Sequence, residues 1–142
     1  MKLTVKNIER IWVDVPYREV PRRNMIRELP HWTILELCRV TLENDVVGVG
    51  ETMPFYTWGT VTDESVQRAM GKTATEIMWD DSLGAGLQMA LFDAVGKSCE
   101  VPLHQLMGRQ VRNDAFVSWW SIDMSPEDWL LECQESIKQG YT

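Results

Sequence analysis

The amino-acid sequence predicts an α+β fold: a three-stranded antiparallel meander, a helical bundle behind it, then one strand–helix unit that opens a parallel βα repeat. Three observations lead there. The first third of the chain is β-branched with alternating apolar positions. Residues 63–108 carry apolar residues at helical spacing. Residues 114–140 return to an apolar run followed by a capped helix.

The first strand is expected from about Leu3, with Ile11, Val13 and Val15 alternating against Trp12 and Asp14 in the period of a half-buried strand. Pro16 to Pro30 holds three prolines and no clean period, so it reads as a long loop. Thr33–Leu42 (TILELCRVTL) is the second strand, with Glu36 and Arg39 as charged interruptions. Glu43-Asn44-Asp45 is the turn, because Asn and Asp tolerate left-handed backbone, and Val46–Val49 returns.

Helices follow. Thr62 precedes one over Asp63–Met70 with Val66, Ala69 and Met70 on one face, and a short one falls near Thr75–Trp79. The strongest helical pattern is Leu83–Lys97, with Asp80, Asp81 and Ser82 as candidate caps. Its apolar stripe is Leu87, Leu91 and Val95, its small-residue stripe Gly86, Ala90 and Ala94, and Asp93 and Lys97 stand four apart as a helical ion pair. Pro102–Met107 is a short helix ended by Gly108. Asp114–Trp120 (DAFVSWW) reads as a strand. Ser125-Pro126-Glu127-Asp128 starts a helix with a capping box, an apolar face of Trp129, Leu130, Cys133 and Ile137, and Gly140 as its stop.

Composition narrows the function. With 142 residues, 44% hydrophobic and 25% charged, the chain suits a globular domain with a real core. A net charge of −7 lacks the basic footprint that phosphate backbones require, which argues against nucleic acid. No apolar run reaches membrane-span length and the N-terminus has no signal-peptide core, so no membrane partner is expected. Cys38, Cys99 and Cys133 fit neither zinc spacing nor a disulfide framework and read as thiols of a reducing, cytoplasmic compartment. Met70-Gly71-Lys72-Thr73 ends like a phosphate loop, but Val66 stands where the first glycine belongs. Gly84-x-Gly86 lacks both a preceding strand and the third glycine. His31 and His104 are isolated, and His31 reads as a surface or packing residue.

Two motifs carry a family resemblance. Val47-Gly48-Val49-Gly50-Glu51 with Pro54 resembles the Gly-x-Gly-Glu-x-x-Pro stretch of the enolase superfamily. Ala90-Leu91-Phe92-Asp93-Ala94-Val95-Gly96-Lys97, then Pro102 and Leu106-Met107-Gly108, resembles the Ala-Leu-Trp-Asp-x-x-Gly-Lys helix of its mandelate racemase/muconate lactonizing enzyme branch. Phe92 replaces the usual Trp, and Arg109 a second Gly.

The resemblance implies an N-terminal capping domain over 1–112 and, over 113–142, the first strand and helix of a barrel that is otherwise missing. It implies an isomerase or lyase that removes the proton alpha to a carboxylate: a racemase, cycloisomerase or dehydratase, with a sugar acid or hydroxy acid as substrate. Mg2+ would stabilise the dianionic intermediate. Base and metal ligands would lie outside these 142 residues, since a barrel takes about 250 residues, so the chain alone is expected to be inactive. Glu51 would belong to the cap and not to proton transfer. Homo-oligomers are also expected.

The resemblance further implies that the loops after the first and third cap strands set specificity. Arg22 and Arg23 are then candidate grips for the substrate carboxylate. Phe55, Tyr56 and Trp58 are candidate walls of the site, and Ser118, Trp119 and Trp120 stand at the end of the first barrel strand. One of the two indoles must turn toward the helix layer. The competing expectation is a free-standing, non-catalytic binding module with a cap-like fold.

Overall fold

The computed structural model describes residues 2–56 and 59–141, and the candidate Trp58 lies outside them. Two compact units are present: Met1–Asp14 with Ile34–Val111, and Val15–Thr33 with Arg112–Thr142.

The first unit contains the meander, β1 (Val5–Asp14), β2 (Ile34–Leu42) and β3 (Val47–Thr52), antiparallel in the order β1-β2-β3. Asp45 makes the hairpin turn at φ 62°. On β2 the core face is Glu36, Cys38, Val40 and Leu42, all buried. Ile11, Val13 and Val15 do not form the buried face of β1. A register shift between Val5 and Asn7 changes the strand's parity, so Val5 and Ile8 both meet the core, and Arg10 and Trp12 stand opposite Cys38 and Glu36. Ile11 is left 41% exposed.

Helices α2 (Asp63–Ala69) and α3 (Ala74–Ile77) precede α4 (Ala85–Ser98), and α5 (Leu103–Met107) follows. Thr62 Oγ1 caps α2 by accepting from the Ser65 N–H at 3.1 Å. Met70 lies beyond the helix and is exposed. Asp80 caps a 3-10 turn, Asp81–Leu83, and not α4, whose N-cap is Gly84 without a side-chain bond. Gly71-Lys72, the false phosphate loop, is backbone-paired to Val5.

Helix α4 lies across β2 and β3, and its small-residue stripe explains the glycines of β3. A Cβ on Gly48 would stand 2.0 Å from the Ala90 carbonyl oxygen, and one on Gly50 would stand 2.1 Å from that of Gly86. Strand and helix backbones touch there, which only glycine permits. Leu87, Leu91 and Val95 fill the core beside this contact, each worth about 1.5–3 kcal/mol of burial. Phe92 meets Trp79 edge-on, centroids 4.6 Å apart, so the smaller ring is packed where the resembling helix carries Trp.

In the second unit, Pro16–Pro30 is not a loop. Glu19–Glu28 forms helix α1, because Pro21 falls in the first turn, where its missing N–H has no helical partner to lose. Pro21 and Met25, four apart, are its buried residues, and Pro30 stands just past the end. Asp114–Trp120 forms no regular secondary structure and belongs to no sheet: the described residues offer it no neighbouring strand, and Phe116 is fully exposed. Helix α6 (Pro126–Lys138) starts as expected, Ser125 Oγ accepting from the Asp128 N–H at 3.2 Å. Its buried residues are Asp128 and Glu132. The apolar set Trp129, Leu130, Cys133 and Ile137 is exposed, because α1 meets α6 with arginines.

Candidate functional site

The candidate residues fall into one group in each unit. In the first, a cross-strand row closes the end of the sheet: Trp12 on β1, Glu36 on β2 and Thr52 on β3 stand in register. Phe55 packs edge-on against Trp12, centroids 5.9 Å apart. Phe55 and Tyr56 are each 48% exposed. Thr52 Oγ1 donates to the Gly59 carbonyl at 3.0 Å, and the Val61 N–H donates to Glu36 Oε2 at 3.2 Å. Arg10 Nη1 donates to the Val61 carbonyl at 2.6 Å, while Nη2 pairs with Asp63.

Glu36 is thus a buried carboxylate with a structural partner. Burial pushes its carboxyl above the ordinary range, and the Val61 N–H and the Arg10 charge oppose that rise. Burial, reinforced by Glu36, pushes the Cys38 thiol up to about 12. Glu51 projects from the exposed side of β3.

In the second unit, two ion-pair clusters tie α1 to α6. Arg18 engages Glu132 in fork geometry, at 3.1 and 2.6 Å, and its guanidinium lies 4.5 Å over the Trp119 ring. Trp119 Nε1–H also donates to Glu132, at 3.0 Å, so this is the indole turned toward the helix. Arg23 forks onto Asp128, and Asn24 Nδ2 adds a bond of 2.8 Å. Those bonds hold the Asp128 carboxyl below the ordinary range, Arg23 first and Asn24 next.

Of the two candidate arginines, Arg23 is therefore committed to Asp128, whereas Arg22 points to solvent and forms no ion pair among the described residues. Trp120 is 56% exposed and Ser118 is exposed. Ser118 lines an open groove with Phe116, Trp119, Cys133, Ile137 and Tyr141. Sequence reasoning missed Arg18, Asn24, Asp128 and Glu132 as the groups that organise this unit. The signal was present: two arginines five apart match two carboxylates four apart on another helix.

Among the described residues, no three His, Cys, Asp or Glu side chains are grouped to hold a metal. Glu36 accepts from a backbone N–H, Asp63 pairs with Arg10, Asp128 with Arg23, and Glu132 with Arg18 and the Trp119 indole. Among the described residues, no helix is long and apolar enough to cross a membrane.

A three-stranded meander backed by a glycine-contacting helix makes the first unit an α+β domain. Residues 59–108 match the family described as mandelate racemase / muconate lactonizing enzyme, N-terminal domain. The chain is 26% identical over 131 residues to a chloromuconate cycloisomerase of Cupriavidus pinatubonensis, covering 75% of this chain and 34% of that protein. Among solved structures it resembles a muconate lactonizing enzyme from Pseudomonas putida, with a TM-score of 0.70, 21% identity, and coverage of 95% of this chain and 40% of that one. A mandelate racemase/muconate lactonizing protein from Herpetosiphon aurantiacus matches with a TM-score of 0.51 and 20% identity, over 76% and 33%. The match over residues 59–108 and these likenesses point the same way as the two sequence motifs, toward an N-terminal domain of this kind. The chain spans about a third to two-fifths of the length of these relatives.

Proposed function

We propose that the chain serves as the capping domain, 1–112, and the opening strand–helix segment, 113–142, of a longer enzyme that removes the proton alpha to a carboxylate. The supporting observation is the contact of Gly48 and Gly50 with Gly86, Ala90 and Ala94, which builds the cap scaffold and leads β3 into the Phe55–Tyr56 stretch. Chemistry dictates what the remainder must supply. A proton beside a carboxylate is weakly acidic, so a base and a positive charge near the developing dianion are both required. The base and the magnesium ligands are assigned outside this chain, which alone has no turnover. The substrate is a small carboxylic acid, with a hydroxy or sugar acid preferred. The racemase, cycloisomerase and dehydratase outcomes differ in where the base stands.

Arg22 is the proposed carboxylate contact from the segment after β1, and Phe55 and Tyr56 are the proposed apolar contacts after β3. Ser118 and Trp120 contribute from the segment before α6. The test has two parts. The gene is read beyond the Thr142 codon for a Lys-x-Lys base and three spaced carboxylates. The longer product is then assayed for magnesium-dependent exchange of alpha protons in deuterated water across a panel of carboxylic acids. Exchange by the longer product and none by the 142-residue chain is expected. A stop codon after Thr142, or exchange by the short chain, overturns the proposal, and the stop codon would favour a non-catalytic binding module.

A further inference from the structure

Val61, five residues after Tyr56, is held through both of its backbone polar groups at this end of the sheet. Its side chain is fully buried, so its N–H and C=O need partners inside the protein. Neither finds one in a strand or helix. Glu36 accepts the N–H and Arg10 donates to the C=O. Thr52, beside Glu36 in the same row, donates to the Gly59 carbonyl, and Trp12, on the other side of Glu36, carries Phe55. Three adjacent strands thus supply four side chains, Arg10 and Trp12 from β1, Glu36 from β2 and Thr52 from β3, that hold Phe55, Gly59 and Val61.

We propose that the Trp12–Glu36–Thr52 row, with Arg10, is a positioning device that sets where Phe55 and Tyr56 stand, and so tunes specificity without touching substrate. The proposal rests on the reading of Phe55 and Tyr56 as substrate contacts. A carboxylate is required at position 36 only for its acceptor oxygen. A buried acceptor facing one backbone N–H is costly to remove, because the N–H is left unsatisfied. The amide of Gln offers the same oxygen, so Glu36→Gln keeps the grip, whereas Glu36→Ala releases it. Arg10 is part-exposed, so Arg10→Met retains the stem and the packing while removing the bond to Val61.

Nuclear magnetic resonance of the 142-residue chain reads the grip directly through the proximity of the Trp12 and Phe55 rings. Glu36→Gln is expected to keep the two rings together. Glu36→Ala and Arg10→Met are expected to separate them while the β2–β3 amides stay unshifted. Should Glu36→Ala fail to fold, Arg10→Met decides, and rings still paired in it overturn the proposal. In the longer enzyme, Glu36→Ala or Arg10→Met is expected to raise KM about tenfold with kcat within about threefold, and Glu36→Gln to restore wild-type KM. KM unmoved in both, when Phe55→Ala and Tyr56→Ala do raise it, overturns the positioning role. KM unmoved in all of them, although the Trp12 and Phe55 rings have separated, instead refutes the two aromatics as substrate contacts.

Discussion

Replacing Gly48 by Ala is a severe test of how this domain is held together. The added Cβ would stand 2.0 Å from the Ala90 carbonyl oxygen, 2.4 Å from the Ala94 nitrogen and 2.7 Å from the Ala94 Cβ. Two of those three atoms are backbone, so no side chain can rotate away, and trimming Ala94 to Gly relieves only the third. Helix α4 must lift from the sheet, opening a gap along the Leu87, Leu91 and Val95 packing. Overpacking costs typically 1–3 kcal/mol and occasionally more. A backbone clash belongs at the upper end, at about 3 kcal/mol. With a urea slope of about 2 kcal/mol per molar, the midpoint should fall by about 1.5 M. The matched control is Val49→Ala, one residue along on the exposed side of the strand, which should move the midpoint by about 0.3 M or less. Both are read by circular dichroism in a urea series. A Gly48→Ala midpoint no lower than that of Val49→Ala would refute the close helix–strand contact and with it the account of the glycine motif.

Two further outcomes follow from the buried thiol and the charged helix pair. With Cys38 buried and its thiol pushed up to about 12, and Cys99 and Cys133 exposed, a disulfide reagent at pH 8 should titrate two thiols quickly and the third only in denaturant. Three equal rates would contradict the core placement of Cys38. Asp128 has its carboxyl lowered by Arg23 and Asn24, so its contribution to stability is complete above about pH 4, the unfolded value, and is lost as pH falls through the folded one. The stability gap between wild type and Asp128→Asn should therefore shrink between pH 7 and pH 3. A gap of the same size at both ends would show that the carboxylate charge is not what ties α1 to α6.

The hairpin and α4 were legible because each carries a complete local signal: alternation with an Asn-Asp turn in one, a full apolar stripe beside a small-residue stripe in the other. Helix α1 was not, because its two buried residues, Pro21 and Met25, are too few to show a period and one is a helix breaker anywhere but in the first turn. Helix α6 was found with its faces inverted. Its period and cap were readable, yet which face is covered depends on the partner, and the partner is a row of arginines more than a hundred residues earlier. Charges on Asp128 and Glu132 look like solvent-facing residues until Arg18 and Arg23 are placed opposite. The face of β1 failed for another reason: one shift between Val5 and Asn7 reverses every later side chain, and nothing in VKNIERIWVD marks it. Of the candidate site, Phe55 and Tyr56 lie after β3 and are about half exposed, while the commitment of Arg23 and Trp119 to partners was not legible.

The motif that carried the resemblance has a structural explanation at almost every residue. β3 is an edge strand, and edge strands expose backbone groups that invite pairing with other chains. Asp93 accepts from the Val49 N–H at 2.8 Å, Lys97 donates to the Val47 carbonyl at 3.0 Å, and the two close on each other at 2.6 Å. The Asp and Lys of Ala-Leu-Phe-Asp-Ala-Val-Gly-Lys thus seal the open edge of the strand whose Gly48 and Gly50 admit the helix. Gly96 lets the chain turn back under α4, where a Cβ would press on the Val101 carbonyl at 3.1 Å. The two motifs are one interlocked contact written in two places. The family match, residues 59–108, holds only the helical half of it and none of the candidate binding residues Arg22, Phe55, Tyr56, Ser118 or Trp120. Similarity in that stretch therefore speaks for the scaffold. The proposed binding residues all lie outside that match, in residues 15–33, 53–56 and 112–125.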